Sequence, residues 1–189
     1  MRKPQLIIIG GANGSGKTTF AHEIAEEKNI KYLGADDIAA GLNPSAPQES
    51  AIEAARLFHQ LFKESLSQSE SLIVESTLSG LSLKKFLIEA RHSNFFISIF
   101  FVILDSEELC IQRIASRVAK GGHFVPDEDV RRRFKRANSN FEKVYKDLAD
   151  DWFLIFNAGD NFEQIATGDQ KGAIIYDELR YEQWQKTIK

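Results

Sequence analysis

Residues 11 to 18 read Gly-Ala-Asn-Gly-Ser-Gly-Lys-Thr, a full G-x-x-x-x-G-K-[ST] phosphate-binding loop directly behind the apolar run Leu6-Ile7-Ile8-Ile9. Few local patterns restrict a fold so tightly. Such a loop holds a phosphate only when a buried strand delivers the chain to a tight turn and a helix starts at once beyond it. The glycines let several backbone N–H groups converge on one phosphate, and the helix beginning near Lys17 adds the positive end of its dipole. In that arrangement Lys17 reaches the β- and γ-phosphates of a nucleoside triphosphate and the Thr18 hydroxyl binds Mg2+. A glycine-rich turn before an ordinary helix accounts for one glycine, but not for Gly11, Gly14 and Gly16 in register with Lys17-Thr18.

The rest of the chain alternates strand-like and helix-like segments, which predicts an α/β fold with a parallel sheet and helices on both faces. The strand candidates are Gln5 to Gly10, Lys31 to Leu33, Ser71 to Ser76, Phe95 to Leu104 and Trp152 to Phe156. Between them, Glu49 to Gln68 places Ile52, Ala55, Phe58, Phe62 and Leu66 on one helical face, and Leu83 to His92 is a shorter amphipathic piece. Leu42 to Pro47 reads as a proline-marked loop, and Ile165 to Tyr176 as a short hairpin before a terminal helix. With no repeat or linker composition visible, residues 1–189 are expected to form a single domain.

Bulk properties narrow the function. A net charge of -3 argues against a broad nucleic-acid surface. The one cysteine, Cys110, excludes an internal disulfide and a cysteine-rich zinc site, and is expected to pack as a small apolar residue. The apolar stretch behind Met1-Arg2-Lys3-Pro4 is too short for a signal-peptide core, and Phe95 to Leu104 falls well short of the roughly 20 residues that span a bilayer. A cytoplasmic enzyme with no membrane partner is the expectation.

The ends of the other strands should identify the chemistry, because in open α/β sheets they line the ligand crevice. After the second strand comes Gly34-Ala35-Asp36-Asp37, and the third ends Leu72-Ile73-Val74-Glu75, an apolar run closed by an acid as in a Walker B site. Glu75 there suits Mg2+, directly or through water. Helix capping or solvent exposure is the plainer alternative for each acid, capping above all for Asp37 before a short helix from Ile38, but the P-loop context favours function for Asp36 and Glu75. Val102-Ile103-Leu104-Asp105 is a second Walker B candidate, but Ser106 or Asp105 as N-cap with Glu107-Glu108 in the first turn explains it structurally.

Between Leu109 and Leu148 the arginines stand out. Arg113 and Arg117 lie one turn apart, flanking the apolar side made by Cys110, Ile111, Ile114 and Val118. Gly121-Gly122-His123-Phe124-Val125-Pro126 then forms a glycine hinge and a proline-marked turn, and Asp127 opens a long helix with the stripe Val130, Phe134, Ala137, Phe141, Val144 and Leu148. Arg133 lies on the border of this stripe, while Arg132 and Arg136 point away. An arginine helix, a hinge and a second arginine helix, about 113–136, would build a lid that neutralises charge on a moving phosphoryl group and excludes water. A solvated basic helix pair, or a nucleic-acid patch of Arg131, Arg132, Lys135 and Arg136, is the competing account. His123 is a lone loop histidine and is assigned no role.

Four segments in order carry a family resemblance: Gly-Ala-Asn-Gly-Ser-Gly-Lys-Thr-Thr-Phe, Gly-Ala-Asp-Asp-Ile-Ala, Glu-Ser-Thr-Leu-Ser-Gly, and Gly-Gly-His-Phe-Val-Pro followed by Val-Arg-Arg-Arg-Phe. Together they resemble the zeta-toxin-type P-loop kinases, most of all their short stand-alone branch described as predicted ATPases, over roughly residues 5 to 160. The resemblance implies a three-layer P-loop NTPase fold with a parallel sheet of order 2-3-1-4-5 and a helical lid. It implies ATP held by Gly11, Ala12, Asn13, Gly14, Ser15, Gly16, Lys17, Thr18 and Thr19, with Mg2+ on Thr18 and Glu75. By position, Asp36 would accept the proton of the acceptor hydroxyl, Lys17, Arg117 and Arg133 would steady the moving phosphoryl group, and Arg113 would lie near the adenine or its phosphates. The adenine would sit by Asn157-Ala158-Gly159. Better-known members phosphorylate a UDP-N-acetylated amino sugar, but the residues that hold that sugar are not matched here. The acceptor loop, Glu75 to Gly80, and the helix from Glu49 suit a polar, hydroxylated small molecule. The resemblance leaves open both a toxin held by an antitoxin-type protein partner and a housekeeping small-molecule kinase. An acceptor-independent ATPase switch and a nucleic-acid end kinase stand as the alternatives.

Overall fold

The computed structural model describes residues 3–122, 124–159 and 161–188; His123 lies outside the described residues. The elements run β1 (Gln5–Gly11), α1 (Lys17–Lys28), β2 (Lys31–Leu33), α2 (Ala35–Leu42), a 3-10 turn (Pro47–Ser50), α3 (Ala51–Ser67), β3 (Leu72–Ser76), α4 (Leu83–His92) and β4 (Phe96–Ile103). They continue with α5 (Glu107–Val118), α6 (Asp127–Asn140), β5 (Asp151–Asn157), β6 (Phe162–Asp169), β7 (Gly172–Ile175) and α7 (Glu178–Gln185). The sheet order is β2-β3-β1-β4-β5-β6-β7. Its first five strands are parallel in the expected order, each joined through helices. The sheet then goes beyond that order, because β6 and β7 add an antiparallel hairpin, which needs only short turns where another parallel strand would need a crossover.

Successive strand residues face opposite layers, and that alternation builds two cores. Leu6, Ile8, Val74, Ile99, Phe101 and Leu154 face α3, α4, the end of α6 and α7 through Phe62, Leu87, Phe141 and Trp184. Ile7, Ile9, Ile73 and Val102 face α1 through Phe20 and Ala21. Strands covered on both sides read as unbroken apolar runs, which is why β1 and β4 were legible. Among the described residues no helix is long and apolar enough to cross a membrane.

Three local expectations fail. The stripe on α3 is fully buried only at Phe62 and Leu66; Ala55 is exposed and Ile52 is 73% exposed, while Ala54, off the expected stripe, is buried. The helix from Asp127 does not run regularly to Leu148: it passes into a π turn over Phe141–Tyr145 and a 3-10 turn over Lys146–Leu148. The wider turn carries Tyr145 into the core where regular periodicity places Val144. Asp37 caps no helix, since α2 already starts at Ala35 with Gly34 as N-cap, leaving Asp36 and Asp37 inside the first turn where the dipole favours acids. The capping account of Ser106 holds, its side chain accepting the Leu109 N–H at 3.2 Å.

Candidate active site

The end of β1 and the start of α1 form the cradle. Gly14 (φ 80°) and Gly16 (φ 94°) are in the left-handed region. Both are also crowded: a Cβ on Gly14 would lie 2.6 Å from the Cys110 carbonyl oxygen, and one on Gly16 would lie 2.3 Å from Asn157 Nδ2. The loop is thus clasped by α5 on one side and by the end of β5 on the other, where Asn157 Nδ2 donates to Ser15 O at 2.9 Å. Gly16 is the N-cap of α1, so the first N–H groups of that helix open onto the loop.

Lys17 is 6% exposed. Its Nζ donates to Ala12 O at 2.9 Å and lies 3.9 Å from Glu75 Oε1. Burial pulls its pKa below the ordinary lysine value; the charges of Glu75 and Asp36 oppose that shift and the guanidinium of Arg117 adds to it. Asp36, Glu75 and Arg117 therefore all act on the Lys17 ammonium, though they come from three different elements. Ser15 Oγ is likewise buried within the loop, with no hydrogen-bond partner among the described residues. A buried ammonium served by one carbonyl, an orphaned hydroxyl and left-handed glycines fit the phosphates of a nucleotide.

Glu75 ends β3 opposite Ile9 of β1. Tyr32 OH donates to Glu75 Oε2 at 2.9 Å, and burial followed by the Glu75 charge raises the tyrosine pKa. The Tyr32 ring packs on His22 with centroids 4.7 Å apart. Neither Tyr32 nor the bond from Asn157 to the P-loop was anticipated. The available signal was a polar group on an otherwise apolar strand, since a buried phenol or amide must find a partner. Asp36 is exposed at the start of α2, and Thr18 and Thr19 are exposed at the start of α1.

The arginines separate into two groups. Arg133 Nη1 donates to Asn13 Oδ1 at 3.3 Å, so it does turn inward to the P-loop. Arg113 Nη2 approaches the loop after β5, 3.9 Å from where a Gly159 Cβ would stand. Arg117 packs its stem on Gly122, whose N–H donates to the Arg117 carbonyl at 3.0 Å. The outward set is bound elsewhere. Arg131 pairs with Glu107 at 3.1 Å and with Glu108, Lys135 with Glu107 at 3.4 Å, and Arg132 with Asp129 at 2.8 Å. Acids of α5 and α6 neutralise much of the patch that a nucleic-acid backbone would need. A separate open concavity of about 650 Å3 runs along α3, lined by Ala51, Ile52, Ala55, Arg56 and His59, and includes none of these groups.

Residues 6–144 match the family described as an AAA domain, AAA_33. The chain belongs to that family. The AAA_33 chain is 32% identical to an uncharacterized protein of Haemophilus influenzae, over 68% of this chain and 91% of that one. It is 30% identical to the cytidylate kinase of Archaeoglobus fulgidus, over 81% of this chain and 85% of the relative. Among solved structures it shares its fold with the AvrRxo1-ORF1:-ORF2 complex with ATP, at TM-score 0.77, 16% identity, and coverage of 95% of this chain and 63% of that one. It also shares its fold with the PezAT toxin-antitoxin system of Streptococcus pneumoniae, at TM-score 0.71, 15% identity, and coverage of 99% and 85%. The AAA_33 chain is a kinase-like P-loop domain.

Proposed function

We propose that this chain is a cytosolic ATP-dependent phosphotransferase of zeta-toxin type, moving the γ-phosphate of ATP to a hydroxyl of a small molecule, a nucleotide sugar being the acceptor that the family resemblance suggests. The observation that carries it is the buried Lys17 ammonium in the P-loop, 3.9 Å from Glu75 and within the field of Asp36 and Arg117, with Arg133 donating to Asn13 of the same loop. The ATP bound by the AvrRxo1 complex supports the donor.

In this mechanism the N–H groups of residues 11–18 and Lys17 hold the triphosphate, with Arg113 beside the adenine or its phosphates. Thr18 and Glu75 supply oxygen ligands suited to Mg2+, which when bound would neutralise charge on the β- and γ-phosphates. Asp36 takes the acceptor's hydroxyl proton as the new O–P bond forms and the bond to the departing ADP breaks. Proton transfer late in a loose transition state asks orientation of Asp36 more than basicity. Arg117 and Arg133 stabilise the phosphoryl oxygens, and the α5–α6 pair, about 113–136, closes over them as a lid.

The cytidylate kinase relative favours a second reading, in which a nucleoside monophosphate is the acceptor. Its phosphate would need no base and would be repelled by Asp36 and Asp37. The PezAT and AvrRxo1 assemblies support an antitoxin-type protein partner. The test is transfer of label from radiolabelled ATP to a panel of hydroxylated metabolites, nucleotide sugars and nucleoside monophosphates. Wild type should label one hydroxyl acceptor, Lys17→Ala none, and Asp36→Ala should lose about 100-fold or more in turnover while still binding ATP. Label on a monophosphate that is insensitive to Asp36→Ala would favour the second reading. Steady phosphate release with no labelled acceptor would make the protein an ATPase.

A further inference from the structure

Helix α6 touches both halves of this site. Toward its middle, Arg133 Nη1 donates to Asn13 of the P-loop. At its end Asn140 Nδ2 donates to Leu78 O at 2.9 Å, and from the π turn that follows Tyr145 OH donates to Gly80 O at 2.6 Å. Both carbonyls belong to the loop that leaves β3 just beyond Glu75, where the Thr77 and Ser79 hydroxyls stand 2.8 Å apart.

That loop is held in a conformation it would not adopt alone. Leu78 has φ 54°, in the left-handed region, and its N–H turns back to Ser76 Oγ at 3.2 Å. Its side chain is 1% exposed and lies against Gly10, where a Cβ would fall 2.5 Å from Leu78 Cδ1. The π turn over Phe141–Tyr145 is what aims Tyr145 at Gly80, and such turns recur at functional sites. Satisfying two carbonyls explains the bonds. It does not explain why both donors follow on the helix that carries Arg133.

We propose that Asn140 and Tyr145 are positioning residues that set the 77–81 loop, as the wall of the acceptor site, in step with the engagement of Arg133 at the P-loop. The proposal rests on phosphotransfer at the Lys17 site. ATP drawing on Arg133 fixes α6, and α6 fixes Leu78 and Gly80 through these two bonds, so acceptor and donor sites are coupled in both directions.

Amide hydrogen exchange of the full chain with and without Mg2+ and ATP tests it. In wild type, ATP should slow exchange in 11–18 and also in 77–82, the latter by at least about fivefold, the lower end of ordinary coupling between sites. Tyr145→Phe keeps the ring in its place and removes only the hydroxyl. Asn140→Asp keeps the shape and removes the donor. In each, the ATP effect on 77–82 should disappear while that on 11–18 persists. A residue that merely supports the fold would raise exchange in 77–82 without abolishing its response to ATP. An undiminished response in both variants, or a wild-type response confined to 11–18, overturns the coupling and leaves phosphotransfer standing. No response at either segment overturns both.

Discussion

Lys17 is the residue whose surroundings say most about what the site is built to hold. Its ammonium donates to a carbonyl at 2.9 Å and has a carboxylate 3.9 Å away, and burial outweighs that carboxylate to hold its pKa below the ordinary lysine value. The sign follows from proton linkage. As pH rises through the depressed value, the free lysine loses its proton, and a triphosphate must then recover that proton in order to bind. Affinity for ATP should therefore fall, by up to about tenfold per pH unit, as pH rises above the depressed pKa of the free protein, for as long as the complex keeps the proton. Unliganded stability should rise with pH between the depressed pKa and the ordinary lysine value of 10.5, because the unfolded chain keeps its proton longer. Calorimetric titration with ATP from neutral to alkaline pH, in buffers of different ionisation enthalpy, measures both affinity and proton uptake. Binding without proton uptake throughout that window would show that burial does not tune this lysine.

The α5–α6 pair is the element on which the proposed chemistry depends most. It has its own small apolar cluster, with Leu104, Cys110, Ile114, Val125, Val130 and Phe134 closing on Ala12 of the P-loop, apart from the two sheet cores. Glu107 joins the helices through Arg131 and Lys135. A small separate cluster opens more readily than the sheet. Cys110 reports on that opening, because burial pushes its thiol up to about 12 and its carbonyl stands against Gly14. Labelling of this single thiol by a disulfide reagent should be slow in the resting protein and slower with ATP. A rate equal to that of an exposed thiol, or one indifferent to ATP, would remove the case for a closing lid. Sequence periodicity located both helices but not their pairing charges, since Glu107 and Arg131 are brought together only by the turn between α5 and α6.

At the scale of the molecule, the C-terminal segment clamps the far end of α6. Trp184 of α7 is 3% exposed, meets Phe141 with centroids 5.9 Å apart, and donates from Nε1 to Asn138 Oδ1 at 3.2 Å. Lys146 lies 4.0 Å over Trp152 and 5.2 Å over Trp184. Trp184→Ala should cost about 3–5 kcal/mol in urea unfolding, as for a large buried ring. A loss of less than about 1 kcal/mol, the scale of a surface change, would make α7 an appendage instead. Several features were legible from the chain alone: the P-loop, the two-sided strands, the hairpin tail and the inward turn of Arg133. Each is written in contiguous residues or in a periodicity, and physics reads those locally. The exposure of Ile52 and the π turn at Tyr145 were not, because they depend on how neighbouring elements pack. The amino-acid sequence by itself determined that a phosphate-loop motif joins β1 to α1. Only the tertiary structure decided which distant polar groups attend it. Tyr32, Asn157, Asn140 and Tyr145 reach the site or its walls through sheet order and helix placement, and their partners lie too far along the chain for any local pattern to specify.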